Sequence, residues 1–317
     1  MIGPAAPRVA VVTPVFEDRA ASSRVFRELR ETLGTGLFIV AVDDGSVSEP
    51  LDYASIAAAQ AHGVVIRLRR NVGHQRAIAI GLSWVADNVT DLAQIVVMDS
   101  DGEDLPQSIP DLSAPLASPD VDVVVAQRRN RVETWRFRAF YLVYKWLFHL
   151  LSGRAISFGN FMALKPAAMR RLVAMQELWI HVAACVLGSR LRVAMCALDR
   201  GPRYAGQSKM NFVGLALHGF RALMVFADDV LVRVGIACAA VAALSVGGGI
   251  AAIVLKLLGF ATPGWFSVAF GILLLMFLQT GAITLMTLML AGVARSAATP
   301  GIEYRDFIDE VQGGDAQ

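Results

Sequence analysis

The sequence predicts an α/β domain, a doubly wound and mostly parallel sheet, joined to a pair of membrane-spanning helices. Apolar runs without polar alternation recur at Val9 to Val12, Leu37 to Val42, Val64 to Leu68 and Ile95 to Met98. Runs of that kind suit strands covered on both faces. Stretches with helical spacing, such as Val25, Phe26 and Leu29, lie between them, and strand–helix alternation is the order that gives parallel pairing. The helical pair follows from Val234 to Leu255 and Trp265 to Val293, neither of which contains a charged residue. The first run alone makes about 33 Å of helix at about 1.5 Å per residue, enough to cross a bilayer.

Taken in order, the first strand ends at Thr13-Pro14, and Gly34 and Gly36 close the helix after it. The second strand ends in Asp43-Asp44-Gly45-Ser46, with Ser46 or Ser48 as the expected cap of a helix from Pro50 to Ala61. The third runs into RRNVGHQRA, and a helix is expected from Gln75 to Ala86. The fourth stops at Asp99, Asp101 and Glu103, acids on alternate positions, with Asp104 following. Beyond a link punctuated by Pro106, Pro110, Pro115 and Pro119, a fifth strand is expected from Val121 to Ala126, ending in QRRNR. Trp135 to Leu151 carries aromatics nearly all round, among Arg136, Arg138, Lys145 and His149. Rings beside cations suit the headgroup region of a bilayer, so this helix and Phe212 to Phe226 read as interfacial. Gly159 to Leu164 and Leu191 to Leu198 read as further strands, with a helix opened by Pro166 between them.

Arg233 precedes the first span and Arg295 follows the second, whereas the connecting loop holds a single Lys256. That bias predicts an inner-membrane, multi-pass protein with the sheet domain and both termini in the cytoplasm. The tail, with Glu303, Asp306, Asp309 and Glu310, reads as a solvated or loosely packed helix. The expected division is 1–208 for the sheet domain, 209–232 for a juxtamembrane helix, 233–294 for the spans and 295–317 for the tail.

Composition narrows the function. The 317 residues are 55% hydrophobic, and a net charge of +2 leaves no electrostatic footprint for nucleic acid. Cys185, Cys196 and Cys238 lack zinc-site spacing and read as reduced thiols of a cytosol-facing protein. MIGPAAPR has no apolar core of a secretory signal. No G-x-G-x-x-G follows the first strand and no G-x-x-x-x-G-K-[ST] occurs, which argues against dinucleotide redox chemistry and P-loop phosphoryl transfer.

Four successive strand ends carry polar clusters: Thr13–Asp18, Asp43–Ser46, Asn71–Gln75 and Asp99–Asp104. On one rim of an open sheet such ends make a binding site. Asp101 and Glu103 suit a hard divalent cation, Mg²⁺ or Mn²⁺, bridging a diphosphate. Asp43 or Asp44 suits an N–H on a base edge, and Asp18 suits ribose hydroxyls. A nucleotide-activated sugar combines these demands. Arg200, Arg203 and Lys209, with a turn at Gly206 and Ser208, stand just before the presumed interfacial helix and suit an anionic lipid head group. Arg128, past the fifth strand, is placed to help. A phosphate acceptor is already ionised at neutral pH, so its attack needs charge neutralisation and in-line placement and no strong base.

Pro14-Val-Phe-Glu-Asp18, Asp43-Asp-Gly-Ser46, Asn71-x-Gly73-x-Gln75, Asp99-x-Asp101-x-Glu103 and Arg200 to Lys209 together resemble family-2 glycosyltransferases of the GT-A fold. Among them the chain is similar to the polyprenyl-phosphate enzymes of the dolichol-phosphate mannose synthase and bacterial GtrB/ArnC type. The resemblance implies inverting sugar transfer from a UDP- or GDP-sugar to a polyprenyl phosphate at the cytoplasmic membrane face. It implies a nucleotide-binding set of Pro14, Asp18, Asp43, Asp44, Asn71, Gln75 and Asp99, and a metal set of Asp99, Asp101 and Glu103. Asp101 and Arg128 would be catalytic, and Arg200, Arg203, Ser208 and Lys209 would meet the lipid phosphate. Three positions depart from the family pattern: Glu17-Asp18 for the usual Asn-Glu, D-G-E-D-L-P for D-L-Q-D-P-P, and Asn160 where relatives carry Asp.

Two other functions compete. A processive polysaccharide synthase is disfavoured because no Q-x-x-R-W occurs and two spans are few for a polymer channel. A non-catalytic membrane subunit binding a nucleotide sugar is kept by the altered motifs. A homo-oligomer is compatible with so slight an anchor, Gly247 to Gly249 offering close helix approach.

Overall fold

The structure, a computed structural model, describes residues 9–128, 135–155, 158–204, 212–260, 262, 264–296 and 303–313. Within these, the side chains of residues 128, 135–141, 143, 212, 213, 215, 216 and 291–296 are outside the description. The chain forms two compact units, one of Met1–Tyr141, Ile156–Val225 and Gly301–Gln317, the other of Leu142–Ala155 and Phe226–Pro300.

In the first unit, β1 (Val9–Val15), α1 (Arg19–Leu33), β2 (Leu37–Asp43), α2 (Tyr53–Ala58), β3 (His62–Leu68), α3 (His74–Asn88) and β4 (Gln94–Val97) alternate as expected. Next come α4 (Ile109–Ser113), β5 (Val123–Arg128), α5 (Trp135–Ser152, which runs on into the second unit), β6 (Met162–Leu164), α6 (Pro166–Val173), α7 (Val182–Gly188), β7 (Val193–Leu198) and α8 (Phe212–Met224). The strands form one eight-stranded sheet in the order β7-β5-β6-β4-β1-β2-β3, with the C-terminal strand β8 (Ile308–Gln312) at the far edge. Only β6 and β8 run antiparallel to their neighbours among the described residues.

The lack of polar alternation has its cause here, because β2 is buried at every position. Val12, Val40 and Val42 face a core that includes Ala77 and Ile80 of α3. Val11, Ile39 and Ala41 face the opposite core, with Val25, Phe26 and Leu29 of α1. Phe26 is fully buried, and truncating such a side chain to alanine costs about 3–5 kcal/mol. From β1 the chain steps to β2 and β3 on one side, then returns to β4 on the other. That reversal leaves a crevice at the carboxyl ends of β1, β2 and β4, the usual ligand position in open α/β sheets.

Two expectations need correction. Among the described residues of the tail, Glu303 to Gly313 form no α-helix: Tyr304–Phe307 makes a single 3-10 turn, and β8 pairs with β3, Val65 opposite Gln312 and Leu68 opposite Ile308. Backbone groups along the open edge of β3 need partners, and that demand outweighs the helix-like spacing of the acids. The tail is tied down by Tyr304 Oη and Arg305 Nη2, each donating to Asp87 Oδ2 at 2.9 Å, and by Arg69 Nε donating to the Ile308 carbonyl at 3.0 Å. The helix expected from Pro50 to Ala61 shortens to α2, preceded by Asp52. Ser46 does not cap it, since its Oγ accepts the Glu17 amide at 2.9 Å.

In the second unit, α9 (Ala227–Leu257) and α10 (Trp265–Ser296) are long and apolar enough to cross a membrane, with 18-residue stretches of mean hydropathy 2.2 in the first and 2.1 within Trp265–Leu290 of the second. Their side chains are largely exposed, Leu244 by 75% and Leu285 by 66%, whereas the core helix of a soluble domain buries such residues. Of the glycine run, Gly248 and Gly249 lie against Leu273 and Phe270 of α10, so the close approach they allow is between these two helices. Phe148 meets Phe226 edge-on at 6.0 Å, and Arg154 lies over the same ring.

Candidate active site

The end of β2 is built by carboxylates bound to main-chain amides. Asp43 is fully buried, its Oδ1 accepting from the Ser46 amide and its Oδ2 from the Leu51 amide, both at 2.9 Å. Asp44 accepts from the amides of Val72 (2.7 Å) and Gly73 (3.0 Å), tying the β2 end to the β3 end. Burial pushes the Asp44 carboxyl up against those two amides. Glu17, one of the departures from the family motif, accepts from the consecutive amides of Val47 (2.6 Å), Ser48 (3.0 Å) and Glu49 (2.7 Å). Its backbone is left-handed, with φ 49°.

Pro14 contributes its carbonyl, which accepts the Ser100 hydroxyl at 2.8 Å and joins the β1 end to the β4 end. The Asp18 carbonyl accepts from the Ser22 amide and hydroxyl at the start of α1. Asn71 lies exposed after β3. Gln75 is buried in α3, and its Oε1 accepts the Val182 amide at 2.7 Å, so it holds α7. Its Nε2 has no partner among the described residues.

The end of β4 is different: its acids meet side-chain cations. Asp101 Oδ2 lies 2.6 Å from Arg203 Nη2, and its Oδ1 accepts the Glu103 amide. Glu103 pairs with Arg200 through Oε2 and stands 3.8 Å from Arg203 Nε through Oε1. Asp99 Oδ1 is 3.2 Å from His74 Nε2, which is also 3.0 Å from Asn160 Nδ2. Burial and the neighbouring charge of Asp99 push the Asp101 carboxyl up, and Arg203 and Arg200 counter them. Burial lowers the Arg200 guanidinium, and Asp101 and Asp99 oppose that shift.

The expected acid set and the expected phosphate set thus form one cluster, Asp99, Asp101 and Glu103 with Arg200 and Arg203. Sequence reasoning missed His74, whose only signal was its place at the head of α3, after the β3 cluster. It also missed Tyr204, whose amide donates to the Asp101 carbonyl at 2.9 Å. Ser208 and Lys209 lie outside the described residues, and Arg128 ends β5 with its side chain outside them. Carboxylate oxygens are the right donors for Mg²⁺ or Mn²⁺, and Asp99, Asp101 and Glu103 are the residues that would hold one. As arranged, Asp101 and Glu103 have arginine partners, and no three His, Cys, Asp or Glu converge as metal ligands among the described residues.

Residues 10–179 match the family described as Glycosyl transferase family 2. Over 172 residues the chain is 34% identical to an undecaprenyl-phosphate 4-deoxy-4-formamido-L-arabinose transferase from Enterobacter sp. (strain 638), covering 52% of this chain. The match spans half the length of that curated relative (50%). Among solved structures, mannosyl-3-phosphoglycerate synthase from Rubrobacter xylanophilus aligns over 70% of this chain and 73% of its own, at 19% identity and a TM-score of 0.49. Glucosyl-3-phosphoglycerate synthase from Mycobacterium tuberculosis, solved with Mn²⁺, UDP and glucosyl-3-phosphoglycerate, aligns over 72% and 80%, at 19% identity and a TM-score of 0.47. With more than half of its residues inside the family match, and with the motifs of that match gathered at the carboxyl ends of a parallel sheet, the chain belongs to glycosyl transferase family 2.

Proposed function

We propose that the chain transfers a sugar, with inversion, from a UDP- or GDP-sugar to a polyprenyl phosphate at the cytoplasmic face of the inner membrane. The observation that carries this reading is the contact of Arg203 with Asp101, 2.6 Å between Nη2 and Oδ2. Cations suited to phosphate and acids suited to the divalent cation of a donor diphosphate therefore belong to one cluster. The relative's name supports the acceptor, since that enzyme is named for undecaprenyl phosphate. The two apolar helices support the membrane. Connectivity supports the sidedness: β7 precedes the two apolar helices in the chain and β8 follows them, and both strands belong to one sheet. Two crossings return the chain to the side it left.

In this reading Asp18, Asn71 and Asp99 meet the nucleotide, while Asp43, Asp44, Pro14 and Gln75 shape the loops that receive it. Arg200 and Arg203, with Arg128, Ser208 and Lys209, meet the acceptor phosphate and the donor diphosphate, because guanidinium forks match phosphate oxygens. The acceptor oxygen is already anionic, so Asn160 in place of a carboxylate removes nothing the step needs. A Mg²⁺ or Mn²⁺ bound with the donor would supply charge neutralisation on the leaving diphosphate. Asp101 acts by orienting the arginines and the donor.

The test is transfer by the purified chain in nanodiscs containing undecaprenyl phosphate, with labelled UDP- and GDP-hexoses and Mn²⁺. Label is expected in an organic-extractable, mild-acid-labile lipid. A water-soluble polymer would favour a polysaccharide synthase, and donor binding without turnover would favour a non-catalytic subunit.

A further inference from the structure

Arg200 and Arg203 lie in a segment without regular structure, between β7 and residues outside the described set. Their ion pairs to Glu103 and Asp101 are partly buried, but they act through long side chains and do not by themselves fix the main chain of the segment. Its backbone docks on the acid loop: the Gly201 amide donates to the Glu103 carbonyl at 3.0 Å, and the Tyr204 amide to the Asp101 carbonyl at 2.9 Å. Two glycines allow the approach. A Cβ on Gly102, where φ is +86°, would come within 2.5 Å of the Tyr204 ring. One on Gly201 would come within 2.8 Å of the Gly102 carbonyl oxygen.

The far end of Tyr204 is fixed from outside the site. Its hydroxyl donates to Glu28 Oε2 of α1 at 2.5 Å, and Glu28 Oε1 accepts Arg24 Nε at 2.9 Å. The Arg24 guanidinium lies 3.8 Å from the centre of the Tyr204 ring, a stacked cation. Burial and Glu28 push the Tyr204 phenol up to about 12. Burial acts to raise the Glu28 carboxyl, but its hydrogen bonds from Tyr204 and Arg24 prevail and hold it low, so donor and acceptor keep their roles at physiological pH.

We propose that Tyr204 and Glu28 form a positioning clasp. They set where Arg200 and Arg203 stand, and thereby the capture of the acceptor phosphate. The clasp rests on the glycosyl-transfer reading above and adds to it a pair of residues that touch neither substrate. Tyr204 acts through the arginine segment and α1 serves as its anchor.

The test compares the wild-type chain with Tyr204→Phe, Glu28→Ala, Glu28→Gln and the Tyr204→Phe/Glu28→Ala pair, all in nanodiscs. Peptide-level hydrogen exchange over residues 199–204 reads the clasp itself. Affinity and KM for undecaprenyl phosphate read its consequence. Tyr204→Phe and Glu28→Ala are each expected to speed exchange about tenfold and to raise the acceptor Kd and KM about tenfold, the worth of one charge-assisted hydrogen bond. The kcat should stay within about twofold, because the reacting groups are intact. The double variant should be no worse than either single one, and Glu28→Gln, which keeps an acceptor oxygen, should recover most of the loss. Unchanged exchange, or faster exchange with unchanged acceptor Kd and KM, overturns the proposal. A wild-type chain that transfers no sugar defeats the glycosyl-transfer reading instead, and exchange and undecaprenyl phosphate affinity then judge the clasp.

Discussion

The ends of β2 and β4 both carry clustered acids, and they use them in opposite ways. At β2, Asp43 and Asp44 place four carboxylate oxygens on four main-chain amides. At β4, Asp101 and Glu103 face Arg203 and Arg200, and Asp99 faces His74. A backbone amide cannot leave without unfolding its loop, whereas a long cationic side chain can change partners. The first arrangement builds a wall, and the second keeps charge that a phosphate or a metal can claim.

Asp101→Ala is expected to break the comparison most deeply on the functional side. Sugar transfer should fall on the order of 10³-fold, while the unfolding midpoint in urea moves less than for Asp43→Ala, because the one arginine it releases, Arg203, still has Glu103 within 3.8 Å. Asp43→Ala should do the reverse. It leaves the buried amides of Ser46 and Leu51 without acceptors, at about 1–3 kcal/mol each, so urea unfolding should move by about 3 kcal/mol. If Asp43→Ala unfolds like wild type, the distinction between building acids and working acids fails.

A histidine pair, His181 buried and His218 half-buried, sharpens the contrast with a smaller effect. His181 Nδ1 accepts the Ala184 amide, so its proton sits on Nε2, 3.1 Å from His218 Nε2 of α8. Both rings are therefore neutral, and protonating His218 at Nε2 would set two N–H groups against each other. Burial, then His218, pushes His181 down to about 3, with Arg221 and His74 adding to the shift. The folded pKa lies below the unfolded value of about 6.5, so between the two the unfolded chain binds more protons and stability falls as pH drops. At pH 5 the loss is on the order of 2 kcal/mol for His181. Urea midpoints at pH 7 and pH 5 measure it, and His181→Gln should flatten the difference.

Much of the architecture was legible in the sequence because burial on both faces of a strand removes polar alternation. The four early strands, their parallel order and the two uncharged helices could all be read this way. The tail could not, since Ile308 and Val311 among acids fit an edge strand and a helix equally until the open side of β3 supplies the partner. The candidate site was legible by residue type, with acids at strand ends and arginines before the spans. The assignment of Asp43 and Asp44 beside Asp101 blurred two kinds of acid, because side-chain type does not reveal whether a carboxylate will meet an amide or an arginine.

What the sequence determined by itself was local: hydrophobic period, strand–helix alternation, helices of spanning length, and which charges exist. What the tertiary structure decided was pairing: Arg203 on Asp101, Tyr204 on Glu28, Gln75 on α7 and β8 on β3. The reason is distance along the chain. Periodicity records what a residue's own element buries, whereas contacts between residues tens to hundreds of positions apart depend on how the elements stack.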